Sequence, residues 1–172
     1  MLPKIIDNER KQLGDTLREL SKTHEHLSIA TGYWDLPGTQ ILFDEIKNYK
    51  SIRLLIGQEP LMPRYKAKLK LEEPEQAFPD KDISFDLATL PQDENYRKLV
   101  TDLKQLIADG RLEVRVYRRS FLHSKCYIFG NYESESAIGI IGSSNFTRAG
   151  LTANTELNAL EDDYRIVKST PR

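Results

Sequence analysis

His123 and Lys125 stand two residues apart in Phe121-Leu-His-Ser-Lys-Cys-Tyr-Ile-Phe129, a run apolar and aromatic enough for a strand. Residues two apart on a strand share a face. The imidazole and the ammonium are therefore expected side by side, with Leu122, Ser124, Cys126 and Ile128 turned to the core. Histidine offers a nucleophile and a proton carrier, and lysine offers a compact positive charge to a phosphate oxygen. Thirteen residues past this strand comes Gly142-Ser-Ser-Asn145. Its Ser143 and Asn145 add short hydrogen-bonding side chains that reach the same oxygens. Glu156 follows on a further extended segment. A carboxylate behind a histidine fixes its tautomer and stabilises its cation; an exposed strand carboxylate is the plainer alternative.

Weaker signals surround this group. Arg115, Tyr117, Arg118 and Arg119 form a basic and aromatic cluster leading into the histidine strand. It reads either as a clamp on a phosphate backbone or as a solvated strand end, and Arg148 carries the same two readings. Tyr33 and Trp34 end an early strand, either on the edge where ligands bind or in the core. His24-Glu-His26 reads as a solvated helix end whose spacing suits a metal poorly; no metal and no cofactor are expected. Cys126 is the single cysteine, which leaves no internal disulfide, fits a reducing cytoplasm, and is inert on a core face.

The elements that must position these residues alternate between helical and strand patterns. Ile5 to Lys22 reads as a surface helix with Leu13, Leu17 and Leu20 on one face. Leu27 to Tyr33 reads as a strand, broken by Pro37 and Gly38. Gln40 to Tyr49 is the next helix, and Ser51 to Gly57 the next strand. Strand, helix, strand in this order implies a right-handed crossover and a parallel pair. Residues 59–95 are rich in proline and charge and read as an excursion from the core, mobile in part. Tyr96 to Ala108 is a helix stopped by Gly110. Leu112 to Tyr117 is a third parallel strand. Phe121 to Phe129 and Ala137 to Ile141 pair antiparallel across the turn Gly130–Ser136, and Thr155 to Leu160 closes the set. The expected fold is α/β, a mixed and mostly parallel sheet flanked by helices, in one domain over 1–172. The ending Lys168-Ser-Thr-Pro-Arg172 suggests a piece of a longer protein.

The 172 residues carry 25 basic and 26 acidic side chains, a net charge of −1. A polyanion site must then be local rather than spread over the surface. The N-terminus is charged throughout, unlike a signal peptide. No apolar run reaches membrane-spanning length, so no membrane partner is expected. No Walker A sequence occurs, which places any ATPase outside these residues.

His123-Ser-Lys125 followed by Gly142-Ser-Ser-Asn-Phe-Thr147 resembles the signature of the phospholipase D superfamily, H-x-K then G-S-x-N. The string from Gly142 to Asn158 is most similar to its DNA-directed branch, which includes BfiI-type restriction endonucleases and the N-terminal domains of some bacterial DEAD/DEAH-type helicases. The family's fuller motif has Asp five residues after the Lys, where this chain has Gly130. The nuclease branch also lacks that Asp and uses a later Glu, which Glu156 matches. The resemblance implies a phospholipase D-like fold and a metal-independent, two-step phosphodiesterase mechanism through a phosphohistidine at His123. It also implies nucleic acid as partner, DNA favoured. Two H-x-K units are needed and the chain has one, so a homodimer with the site on its axis is implied. The other reading is a DNA-gripping module of a larger helicase or restriction protein, with a helicase region beyond this chain, that cuts poorly or not at all.

Overall fold

The computed structural model describes residues 4–57, 94–118, 122–131 and 137–163. The expected excursion at 59–95 lies outside them as far as residue 93, and so does Arg119. In chain order the elements are β1 (Ile5–Ile6), α1 (Leu13–Ser21), β2 (His26–Thr31), α2 (Leu36–Ile46), β3 (Ser51–Gly57) and α3 (Glu94–Ala108). They continue with β4 (Leu112–Tyr117), β5 (Lys125–Phe129), β6 (Ile138–Gly142), α4 (Arg148–Thr152) and β7 (Asn158–Glu161).

The strands form one seven-stranded sheet in the order β1-β7-β6-β5-β2-β3-β4. β2, β3 and β4 are parallel neighbours, as the strand–helix–strand pattern requires. β5 does not continue beside β4. It returns to the middle of the sheet and pairs antiparallel with β2, and β6, β7 and β1 follow antiparallel on that side. The α/β fold with flanking helices is as expected, but parallel pairing is the minority. The short connection between β5 and β6 leaves room only for an antiparallel return, and β7 also returns antiparallel to β6 after α4.

One face of the sheet carries the main core. Leu27, Ile29, Ile52, Leu54, Ile56, Tyr127, Phe129 and Ile140 project from it and pack on Leu13 and Leu17 of α1, Leu42 and Ile46 of α2, Leu99 and Leu103 of α3 and Leu151 of α4. Burying each large apolar side chain contributes about 1.5–3 kcal/mol, so this layer holds the sheet rigid. Cys126, Ile128 and Ala137 form a smaller cluster on the opposite face, with Ala30 against it.

Two helix starts differ from expectation. Ile5–Ile6 is not helical: it pairs with Ala159 and Asn158 of β7, and Asn8, at φ 62°, ends that strand in a left-handed turn that asparagine tolerates. The Asn8 side chain then accepts from Leu13 N at 2.8 Å and opens α1. The second helix begins at Leu36 rather than Gln40, so Pro37 and Gly38, expected only to break the strand before it, lie in its first turn. Asp35 caps the helix by accepting from Gly38 N at 2.6 Å, and a proline in the first turn lacks only an N–H that no helical carbonyl would have received. No helix among the described residues is long and apolar enough to cross a membrane.

Candidate active site

Strand direction gathers the chemistry at one edge. β2, β3, β4 and β6 end where β5 and β7 begin, since β5 and β7 run opposite to their neighbours. Lys125 is the first residue of β5, Ser143 and Asn145 follow β6, Glu156 precedes β7, and Arg118 follows β4. Ligands bind outside this kind of edge in open α/β sheets.

His123 is not on the strand. It is exposed, in the stretch without regular structure just before β5, and Lys125 Nζ donates to its backbone carbonyl at 3.2 Å. The face that Lys125 shares with Tyr127 and Phe129 is the main core face, the reverse of the expected arrangement. A strand in the middle of a sheet is covered on both sides, and all five residues of β5 are buried. Alternation along the chain therefore did not say which face was polar.

Beyond the start of β5 the chain continuations of β2 and β6 meet each other, with Trp34 and Phe146 forming a parallel bridge. Asn145 lies in this junction: its Oδ1 accepts from Tyr33 N at 3.1 Å. Asn145 Oδ1 and Lys125 Nζ both approach the place where a Gly32 side chain would start, at 3.3 and 3.7 Å. The Leu122 carbonyl crosses the same point at 2.9 Å and the corresponding point on Gly57 at 2.8 Å. The histidine segment thus runs over the ends of β2 and β3 in contact with two bare backbones, an approach that needs glycine. Nothing in the sequence marked Gly32 and Gly57 beyond their places at strand ends.

Lys125 is 4% exposed. Burial lowers its pKa from the ordinary lysine value, and the nearby negative charge of Glu156 opposes the shift. Glu156 accepts the Ser143 hydroxyl proton in a short hydrogen bond and is met on its other oxygen by Asn154 Nδ2 at 3.3 Å. Leu157 N donates to Ser143 Oγ at 3.0 Å, so serine and carboxylate are fixed together. Beneath them lies a buried polar support that sequence reading missed. Asn158 Oδ1 accepts from Ser144 N at 3.3 Å and Asn158 Nδ2 donates to Ser144 Oγ at 2.9 Å. The Tyr127 hydroxyl donates to the Ser144 carbonyl at 2.9 Å, and burial pushes its phenol pKa up. A side chain on Gly142 would run into Asn158 Oδ1 and the Leu157 carbonyl.

The expected arginines divide. Arg118 is exposed at the edge, with β3 and β2 between its strand and β5. Arg148 is exposed at the start of α4, its backbone N–H held by Asp35 at 3.0 Å. Arg115 lies within β4 in an ion pair with Glu113. The His24 and His26 rings bond locally, to the Leu20 carbonyl and Ser51 Oγ at 2.8 Å each. Cys126 is buried and its thiol pKa is pushed up to about 11, which makes it unreactive near neutral pH. An apolar crevice between the sheet and α2 and α3, lined by Ile29, Trp34, Ile46, Leu103 and Phe146 among others, is part of the core and offers no polar group to a phosphate.

A family model described as "Cardiolipin synthase, PLD-like domain" matches residues 16–170. Comparison with curated proteins finds no match. Among solved structures, the chain is similar to phosphatidylserine synthase from Haemophilus influenzae Rd KW20, at 17% identity and TM-score 0.56, over 94% of this chain and 34% of that one. It is similar to polyphosphate kinase from Porphyromonas gingivalis at 8% and 0.52, over 95% and 24%. It is similar to NucT from Helicobacter pylori at 12% and 0.50, over 95% and 86%. These likenesses are of fold. The chain spans about a third of the synthase, a quarter of the kinase and most of NucT.

Proposed function

The chain belongs to the phospholipase D-like family, and from that premise we propose that it is a metal-independent phosphodiesterase acting on DNA, with its active site shared by two copies across a two-fold axis. The supporting observation is the buried Lys125 Nζ beside the point above Gly32, where Asn145 is anchored through its side-chain oxygen, with the His123 segment held over it. In the first step His123 attacks phosphorus, a nitrogen–phosphorus bond forms, and the bond to the leaving oxygen breaks. That oxygen takes a proton from His123 of the partner subunit. In the second step the partner subunit's His123 takes a proton from water, the water oxygen attacks phosphorus, and the nitrogen–phosphorus bond breaks. Lys125 and the Asn145 amide hold the non-bridging oxygens where charge builds, and Ser143 joins them as a donor only when its proton leaves Glu156. Glu156 holds Ser143 and supplies negative charge against the histidine cation. Arg118, Arg119 and Arg148 take backbone phosphates on either side.

The experiment is cleavage of single- and double-stranded DNA and of bis(p-nitrophenyl) phosphate, with and without EDTA. Cleavage that survives EDTA is expected, and His123→Ala should reduce turnover about a thousandfold or more while DNA binding persists, because a nucleophile contributes in the transition state. Activity lost in EDTA and restored by magnesium overturns the reading.

A second reading, a domain of a larger helicase or restriction protein that grips DNA without cutting, draws on Gly130. It stands where the fuller motif has Asp, at φ +85° with Ala137 backbone 3.1 Å from where a side chain would start. Under that reading the wild type cleaves nothing, and only the arginine substitutions change its behaviour.

A further inference from the structure

Thr31 is the last residue of β2, fully buried, and pairs across the sheet with Lys125. Its hydroxyl donates to the Tyr33 carbonyl at 2.6 Å and accepts from Phe146 N at 2.9 Å. Asn145 Oδ1 lies 3.4 Å away. A hydroxyl has one proton, and the shorter contact takes it. Thr31 therefore does not hold Asn145 directly. It ties down the two residues that do: Tyr33, whose N–H binds Asn145 Oδ1, and Phe146, which follows Asn145 in the chain.

We infer that Thr31 is a positioning residue for the phosphodiesterase site, its hydroxyl joining the continuations of β2 and β6 so that the Asn145 oxygen stays on Tyr33 N near Lys125 and the amide nitrogen, on the other side of the amide, is left to bind a phosphate oxygen. The inference rests on the proposed reaction only for its kinetic consequence. The geometry depends on Tyr33 N binding Asn145 Oδ1: with the oxygen held there, the nitrogen lies on the other side of the amide. A valine at position 31 keeps the volume of threonine but takes the hydroxyl from the part-buried Tyr33 carbonyl and leaves the buried Phe146 N without this acceptor. A buried N–H that loses its acceptor moves to find another, and Asn145 precedes it in the chain.

The experiment compares wild type, Thr31→Val and Thr31→Ser, each checked for folding by a thermal melt. Thr31→Val should lower kcat for bis(p-nitrophenyl) phosphate about tenfold or more with little change in KM, since a displaced donor costs the transition state most. Thr31→Ser, which keeps the hydroxyl, should recover most of it. Should Thr31→Val not fold, Thr31→Ala carries the same expectation. Nitrogen-15 spectra follow the Asn145 side-chain amide in the same proteins. Its signals should shift or broaden in the valine variant and stay in place in the serine variant. Unchanged kcat and unchanged Asn145 signals in Thr31→Val overturn the inference, as does equal damage from serine and valine. If the wild type cleaves no diester, the proposed reaction fails on its own and the amide signals alone decide the role of Thr31.

Discussion

Lys125 carries its charge to a place where 4% of its surface meets solvent. Desolvation disfavours the ammonium, and Glu156 recovers only part of that loss. The direction of the shift has two consequences. Below the lowered folded-state pKa, lysine is charged in both folded and unfolded chains and its burial cost is present in full. As pH rises through the lowered value toward 10.5, the folded chain sheds the proton first, so this lysine adds stability across that window. Cys126, pushed up to about 11, acts with the opposite sign over an overlapping range, so a melt against pH does not isolate Lys125. Binding does. Dimethyl phosphate stays a monoanion at these pH values, and titrating it into wild type and Lys125→Gln reads the lysine charge by difference. Its affinity should fall with an alkaline midpoint below 10.5, and Lys125→Gln should bind weakly with no such fall. A midpoint at 10.5 or above means that the ammonium is not desolvated in solution.

The glycines at the ends of β2 and β3 show how elements set the site. An alanine at Gly32 puts a methyl 2.9 Å from the Leu122 carbonyl, and one at Gly57 puts it 2.8 Å from the same oxygen and 2.9 Å from the Gly32 carbonyl. The atoms that must give way are backbone, so the His123 segment lifts off the sheet. Each substitution should destabilise by about 1–3 kcal/mol, the usual cost of overpacking, and lower turnover about tenfold. Gly110→Ala is the control. It meets nothing within 4 Å and suffers only its φ of +70°, so it should cost about 1 kcal/mol in a melt and leave turnover unchanged. Equal turnover in all three variants would remove the glycines from the positioning of His123. This contact also marks where sequence reading stopped. The spacing of His123, Lys125, Ser143 and Asn145 was legible because each motif is local, and Leu112–Tyr117 was legible because a turn glycine and a helix fix its start. Gly32 and Gly57 owe their meaning to Leu122, far along the chain. The insertion of β5 beside β2 rather than β4 is likewise a long-range pairing that no local pattern encodes. Ile5–Ile6 was misread for the same reason: its partner is β7.

The chain has one H-x-K, and the reaction proposed for it uses two histidines. The edge carrying His123, Asn145 and Glu156 is open at Tyr33 and Leu157, 37% and 63% exposed, so a second copy can approach it with apolar surface at hand. A closed pair needs a two-fold axis, which brings the same residues from both sides to one point. Light scattering at micromolar concentration should give twice the chain mass. Subunit mixing then tests whether the pair shares one site. Wild type and His123→Ala are unfolded together in equal amounts and refolded so that subunits pair at random. If every site needs a histidine from each chain, only wild-type pairs cut, and activity should be about a quarter of that of the same total protein as wild type. If each chain carries a complete site, about half should remain. The quarter is the expected result. A value near one half, or a strict monomer that still cleaves in EDTA, would place the second proton donor within the chain and send the search for it to the residues around Asn145 and Glu156.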